Sequence, residues 1–157
     1  TTLFRSGKEE LIRQLYRMSM EMMVDRLFSG VDLNQIDFST YRQLWMNGCS
    51  GLQSHHYVLL FKELYERSPF LTDQDKQWAQ NCWQPLDRFF QSGIDSGLFR
   101  AIPPCVLAAL SLATVQSVMH EHKIYDFELT DGVKEQMAAA SWKAILADNL
   151  DQSGSKE

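Results

Sequence analysis

Residues 73–100 read DQDKQWAQNCWQPLDRFFQSGIDSGLFR, and this stretch decides the fold class. Apolar side chains return at Trp78, Cys82, Leu86, Phe89, Phe90 and Ile94, the three-and-four spacing of one helix face. Thr72 or Asp73 can cap the start, and Asp73 and Asp75 put negative charge where the helix dipole favours it. Gly97 can take the left-handed conformation that ends many helices. The spacing predicts a helix over 73–96. At about 1.5 Å per residue it is about 35 Å long, the width of a small domain. Pro85 falls inside it, removing one backbone donor and crowding the turn before it, which predicts a kink beside Cys82 and Trp83. A bend ringed by aromatic side chains leaves room for a ligand.

On the N-terminal side, Leu11, Ile12, Leu15, Met22 and Met23 predict a helix over 8–28 that stops at Ser29-Gly30. Asp37 is a cap for a helix over 38–52 whose apolar face is Tyr41, Leu44, Trp45, Cys49 and Leu52. A further helix over 54–67 carries Val58, Leu59, Phe61, Leu64 and Tyr65 and closes at Ser68-Pro69. On the C-terminal side, Pro103-Pro104 opens a helix over 104–123 that is apolar nearly all round, and Thr130 or Asp131 caps the last over 130–149. No segment alternates as a strand does. The predicted fold is all-α, a bundle of about six helices forming one domain over 8–150, with the polar tail 151–157 disordered. Residues 1–7 read as a junction to something upstream, since the chain opens without Met.

Composition narrows the function. The chain has 157 residues, 45% of them hydrophobic, enough for one substantial core. Its net charge of −5 argues against a basic nucleic-acid face within these residues. No apolar run reaches the length of a membrane span and nothing at the start resembles a signal peptide, so no membrane partner is expected. Cys49, Cys82 and Cys105 are odd in number and sit in apolar helical contexts, which fits reduced thiols and a cytoplasmic location. There is no Ser/His/Asp set, no phosphate-cradling glycine loop and no CxxC pair, so neither catalysis nor a cofactor is predicted. His55-His56 and His120-Glu121-His122 do not converge on a metal, because neighbouring helical positions point about 100° apart. His120 and His122 suit the free carbonyls of a helix C-terminus. The competing class, a helical-bundle enzyme or metal-binding protein, lacks the convergent groups it needs.

Two surfaces can be placed. Gly48 and Gly51 thin one helix wall, and Pro85 disturbs another, amid more aromatic rings than a core of this size requires. A largely apolar pocket between the first four helices is therefore predicted, with Met22, Trp45, Cys49, Phe61, Trp83, Leu86 and Phe90 lining it and His56 as a polar contact. Its occupant is expected to be a small hydrophobic molecule. The last two helices offer Ala109, Ala113 and Ser117, then Met137, Ala140, Ser141 and Ala144, small enough for close helix approach. They predict a two-fold homodimer.

Three motifs resemble one family. Residues 6–12, SGKEELI, resemble the SKEEL-type opening of the helix that follows the helix-turn-helix in TetR-family transcriptional regulators. Residues 93–100, GIDSGLFR, resemble the GIxxGxFR end of that family's long central helix, and the Ala/Leu-rich helix from Pro103 to Leu112 resembles the one after it. The resemblance implies a TetR-like effector-binding and dimerisation domain, part of a repressor released from DNA by a small hydrophobic effector. Operator DNA would be read by an N-terminal helix-turn-helix that is absent from this chain.

Overall fold

The computed structural model describes residues 2–148, apart from the side chains of 2–6, His56 and Lys123. Its helices are α1 (Thr2–Phe28), α2 (Phe38–Glu66), α3 (Asp73–Asp95), α4 (Pro104–Leu110), α5 (Thr114–Tyr125) and α6 (Asp131–Ile145). The fold is all-α, as the periodicity predicts. The starts of α2, α3 and α6 are fixed by side-chain caps. Asp37 Oδ1 accepts from Thr40 N at 2.8 Å, and Thr72 and Asp75 form a reciprocal capping box at the head of α3. Thr130 Oγ1 accepts from Val133 N at the head of α6. Gly97, at φ +75°, turns the chain out of α3.

Several boundaries differ from expectation. α1 begins at Thr2 rather than at residue 8. The helices predicted over 38–52 and 54–67 run on from one another as α2, and the break between them falls at His55, with φ −142° and ψ 43°, rather than at 53. As the spacing predicts, α3 runs through Pro85 in one piece, with Leu86, Phe89 and Phe90 buried after it. Conversely, the helix predicted over 104–123 is divided at residues 111–113. Buried Ser111 donates its hydroxyl to Leu107 O at 2.6 Å and takes φ −121°, ψ −84°, and Thr114 Oγ1 donates to Ser111 O at 2.5 Å. Such local hydroxyl bonds compete with the helix ladder. The helix expected over 130–149 stops at Ile145, because Leu146 adopts extended dihedrals and pairs antiparallel with Phe99. Arg100 N donates to Ile145 O and Ala147 N to Leu98 O, both at 2.9 Å. The tail predicted over 151–157 lies outside the described residues.

The core has two parts. The larger gathers Tyr41, Leu44 and Trp45 from α2, Phe89 and Phe90 from α3, Phe99 beyond it, and Trp142 and Ile145 from α6. The smaller is Tyr16 and Met20 of α1 with Tyr65 at the end of α2, and Trp78 packs against it. Tyr16 and Tyr65 stack with centroids 4.5 Å apart. Trp83 touches both clusters.

Fully buried Asp75 ties the smaller cluster together. It receives the hydroxyls of Thr72 (2.7 Å) and Tyr65 (3.2 Å), with Arg17 Nη2 at 3.4 Å and Arg13 Nε at 3.6 Å. The α1 guanidiniums thereby meet the heads of α2's last turn and α3's first.

Candidate ligand-binding site

A pocket of about 540 Å³ opens between the two core clusters. The C-terminal half of α1 lines it with Met22, Met23, Arg26 and Leu27, and α2 adds Leu52, His55, Val58 and Leu59. From α3 come Trp83, Leu86 and Asp87, and from the α4–α5 corner Cys105, Ala109, Leu112, Ala113 and Val115. Gly48 and Gly51 make the room: a Cβ on Gly51 would touch nothing within 4 Å, and one on Gly48 would meet the Val115 methyls at 3.5 Å. Trp83 is set by Phe28, edge to face at 6.5 Å. The volume is in the range that takes a drug-sized molecule.

Some polar groups of the lining are engaged, while Gln80, Asp87 and Gln116 also border the pocket. Asn47 donates its amide to the carbonyls of Leu27 and Ser29, each at 2.9 Å, closing the end of α1. Glu66 receives Lys62 Nζ at 2.7 Å and the Tyr16 hydroxyl at 3.1 Å. Arg26 Nη2 lies 3.5 Å from His55 Nε2, and His55 Nδ1 is buried with no partner. Burial alone pushes the Asp87 carboxyl above its ordinary value.

Of the residues predicted for the pocket, Met22, Trp83 and Leu86 line it. Trp45, Cys49 and Phe90 are fully buried in the larger cluster instead, and burial pushes the Cys49 thiol up to about 11. Phe61 packs half-buried against the smaller cluster. His56 falls outside the described side chains, while its neighbour His55 lines the pocket. Arg26, His55 and Leu112 were not anticipated. Arg26 lies four residues after Met22, on the same helix face, which was the available signal.

The residues predicted for a dimer contact divide as well. Ala109, Ala113, Ser117, Ala140 and Ala144 are exposed, with Val106 and Leu110 exposed on α4 beside them. Met137 is half-buried against the core. Ser141 faces inward, donating to Ala138 O at 3.0 Å and lying 2.6 Å from the Tyr41 hydroxyl. Ala109 and Ala113 also border the pocket. His122 Nδ1 donates to the Phe127 carbonyl at 2.5 Å, in the segment beyond α5 rather than to one of the helix's own last carbonyls. Among the described residues no group of three His, Cys, Asp or Glu could hold a metal, and no helix is long and apolar enough to cross a membrane.

The tetracyclin repressor-like, C-terminal domain family matches residues 38–146. The chain belongs to that family. Solved structures agree with the assignment. A TetR-family protein from Vibrio parahaemolyticus superposes with a TM-score of 0.77 at 24% identity, over 93% of this chain and 80% of that one. A TetR-family transcriptional regulator from Haemophilus influenzae gives 0.73 at 28% identity, over 92% of this chain and 78% of its own. One from Marinobacter aquaeolei gives 0.70 at 17%, over 88% and 70%. No curated protein matches the chain. The family match spans α2 to α6, the elements that build three of the pocket's walls, and α1 supplies the fourth.

Proposed function

We propose that this chain is the ligand-sensing and dimerisation domain of a TetR-like transcriptional regulator, a repressor whose hold on operator DNA is released by a small hydrophobic effector. The observation that carries the reading is the pocket of about 540 Å³ between two separate hydrophobic clusters, with α1 shared between its wall and the smaller cluster. A ligand shifts an equilibrium only by its differential affinity for two conformations. Filling a space between two packed bodies has that property, since the ligand favours whichever separation fits it. α1 carries the change towards its N-terminal end, where a helix-turn-helix joins it. Exposed α4 and α6 faces, with Ala109, Ala140 and Ala144, meet a symmetry mate, so that two DNA-reading units address a palindromic operator. The protein works in the cytoplasm and needs no catalytic group.

Fluorescence titration with N-phenylnaphthylamine, an apolar dye that brightens out of water, tests the pocket. We expect saturable binding at one site per chain, weakened about tenfold in Trp83→Ala, a loss of about 1.4 kcal/mol. Unsaturable binding, or a Trp83→Ala variant indistinguishable from wild type, would sink the reading.

A further inference from the structure

Resting on the reading of this pocket as an effector site, we propose that its occupant is an amphiphile with a carboxylate head, seated on Arg26 and His55 where α2 is interrupted, with its apolar body along Trp83, Leu86 and Leu112. The charged and imidazole side chains that reach the lining are Arg26, His55, Glu66 and Asp87. Glu66 is already taken by Lys62 and Tyr16. Arg26, by contrast, faces no carboxylate among the described residues; its neighbour is His55, with Nη2 and Nε2 3.5 Å apart.

That contact has a chemical consequence. A guanidinium donates and never accepts, so the pair is a hydrogen bond only when Nε2 is bare. The ring proton then sits on Nδ1, which is buried and meets no acceptor. A stranded donor of this kind is costly. One carboxylate placed between the two groups resolves it. It accepts from Arg26 and from an Nε2–H, leaving Nδ1 as a bare lone pair rather than an orphaned donor. Carboxylate also matches the planar fork of arginine better than any neutral head does. An ammonium head would have to use Asp87, since Glu66 is already engaged. Trp83, Leu86, Leu112 and Val115 give the wall a largely apolar stretch, which suits a hydrocarbon body.

Isothermal titration of the full chain near neutral pH with dodecanoate, dodecanol and dodecylamine tests the head group. We expect dodecanoate to bind at least about tenfold more tightly than dodecanol, and Arg26→Gln to erase that difference. A circular dichroism spectrum and a melting midpoint like those of the unmodified chain show that the variant is folded. Dodecylamine binding most tightly, or an acid preference that survives Arg26→Gln, would overturn the proposal. If the wild-type chain binds the dye but the three chain-matched ligands equally, the carboxylate assignment alone falls. If it does not bind the dye at all, the effector-site reading falls with it.

Discussion

The ring of Phe99 fills the space that a β-carbon on Gly93 would need: an ideal Cβ there would lie 2.0 Å from Phe99 Cδ2. The backbones are joined too, since the amides of Leu98 and Phe99 both donate to Gly93 O, at 2.9 and 3.0 Å. Phe99 in turn meets Trp142 edge to face at 5.2 Å. The two glycines of GIDSGLFR thus have separate duties, Gly97 for the turn and Gly93 for the ring. Gly93→Ala should destabilise the chain by about 2 kcal/mol, overpacking outweighing the roughly 1 kcal/mol gained in helix propensity. Urea unfolding checks this, and an unchanged or raised midpoint would refute it.

Asp75 gives stability a pH dependence. Burial pushes its carboxyl up, but hydrogen bonds from Thr72, Tyr65 and Arg17 more than offset that, and the net shift is downward. A lowered carboxyl contributes stability that is complete above its unfolded value of about 3.9 and is lost as pH falls through the lower native value. Wild type should therefore lose stability below about pH 4 more steeply than Asp75→Asn, which gives up the contribution at every pH, about 2 kcal/mol at neutrality. Parallel slopes for the two proteins in acid denaturation would contradict the assignment.

Tyr41 and Ser141 link α2 to α6 inside the larger cluster. Because Ser141 gives its proton to Ala138 O, the tyrosine hydroxyl is the donor between them. Tyr41→Phe should cost about 1 kcal/mol, and a double-mutant cycle with Ser141→Ala should return a coupling of about 0.5–1.5 kcal/mol. Strict additivity in the cycle would show that the contact is energetically idle.

Dimerisation can be tested at Ala140, which is exposed on α6 and clear of the pocket, unlike Ala113. An obligate interface buries roughly 2,000 Å² or more in total, and a charge at its centre is left without a partner. Ala140→Glu should yield folded monomers in sedimentation, where the unmodified chain is expected to sediment as a dimer at micromolar concentration. A monomeric wild type would end the proposal.

How much of this could be read from the residues depends on how local the cause is. Asp37, Thr72, Thr130 and Gly97 fix helix ends through bonds to neighbouring backbone, so spacing and residue type were sufficient. The interruption at His55 was expected two residues earlier, at 53, whereas the division at Ser111 was not legible. Pro85 lies inside α3 without ending it, as the apolar spacing on both sides predicted, while a buried serine hydroxyl divides a helix that looked continuous. The pocket was legible as a region. Its individual rings were not: Trp45, Phe90 and Trp83 are alike in sequence context, and only packing decides that Trp83 borders a space while the others are enclosed.

α1 is gripped at two places, by Asp75 through Arg13 and Arg17 and by the pocket from Met22 to Leu27. A rigid rod held this way is a lever whose fulcrum lies between its loads. From the midpoint of the two arginines, the pocket contacts are about 14 Å along the helix one way and Thr2 about 20 Å the other, at 1.5 Å per residue. A sideways push of about 1 Å at the pocket therefore swings the Thr2 end by about 1.4 Å in the opposite direction. The sense of the motion is reversed while its size is nearly kept, so a molecule that spreads the pocket wall outward would draw the far end of α1 inward.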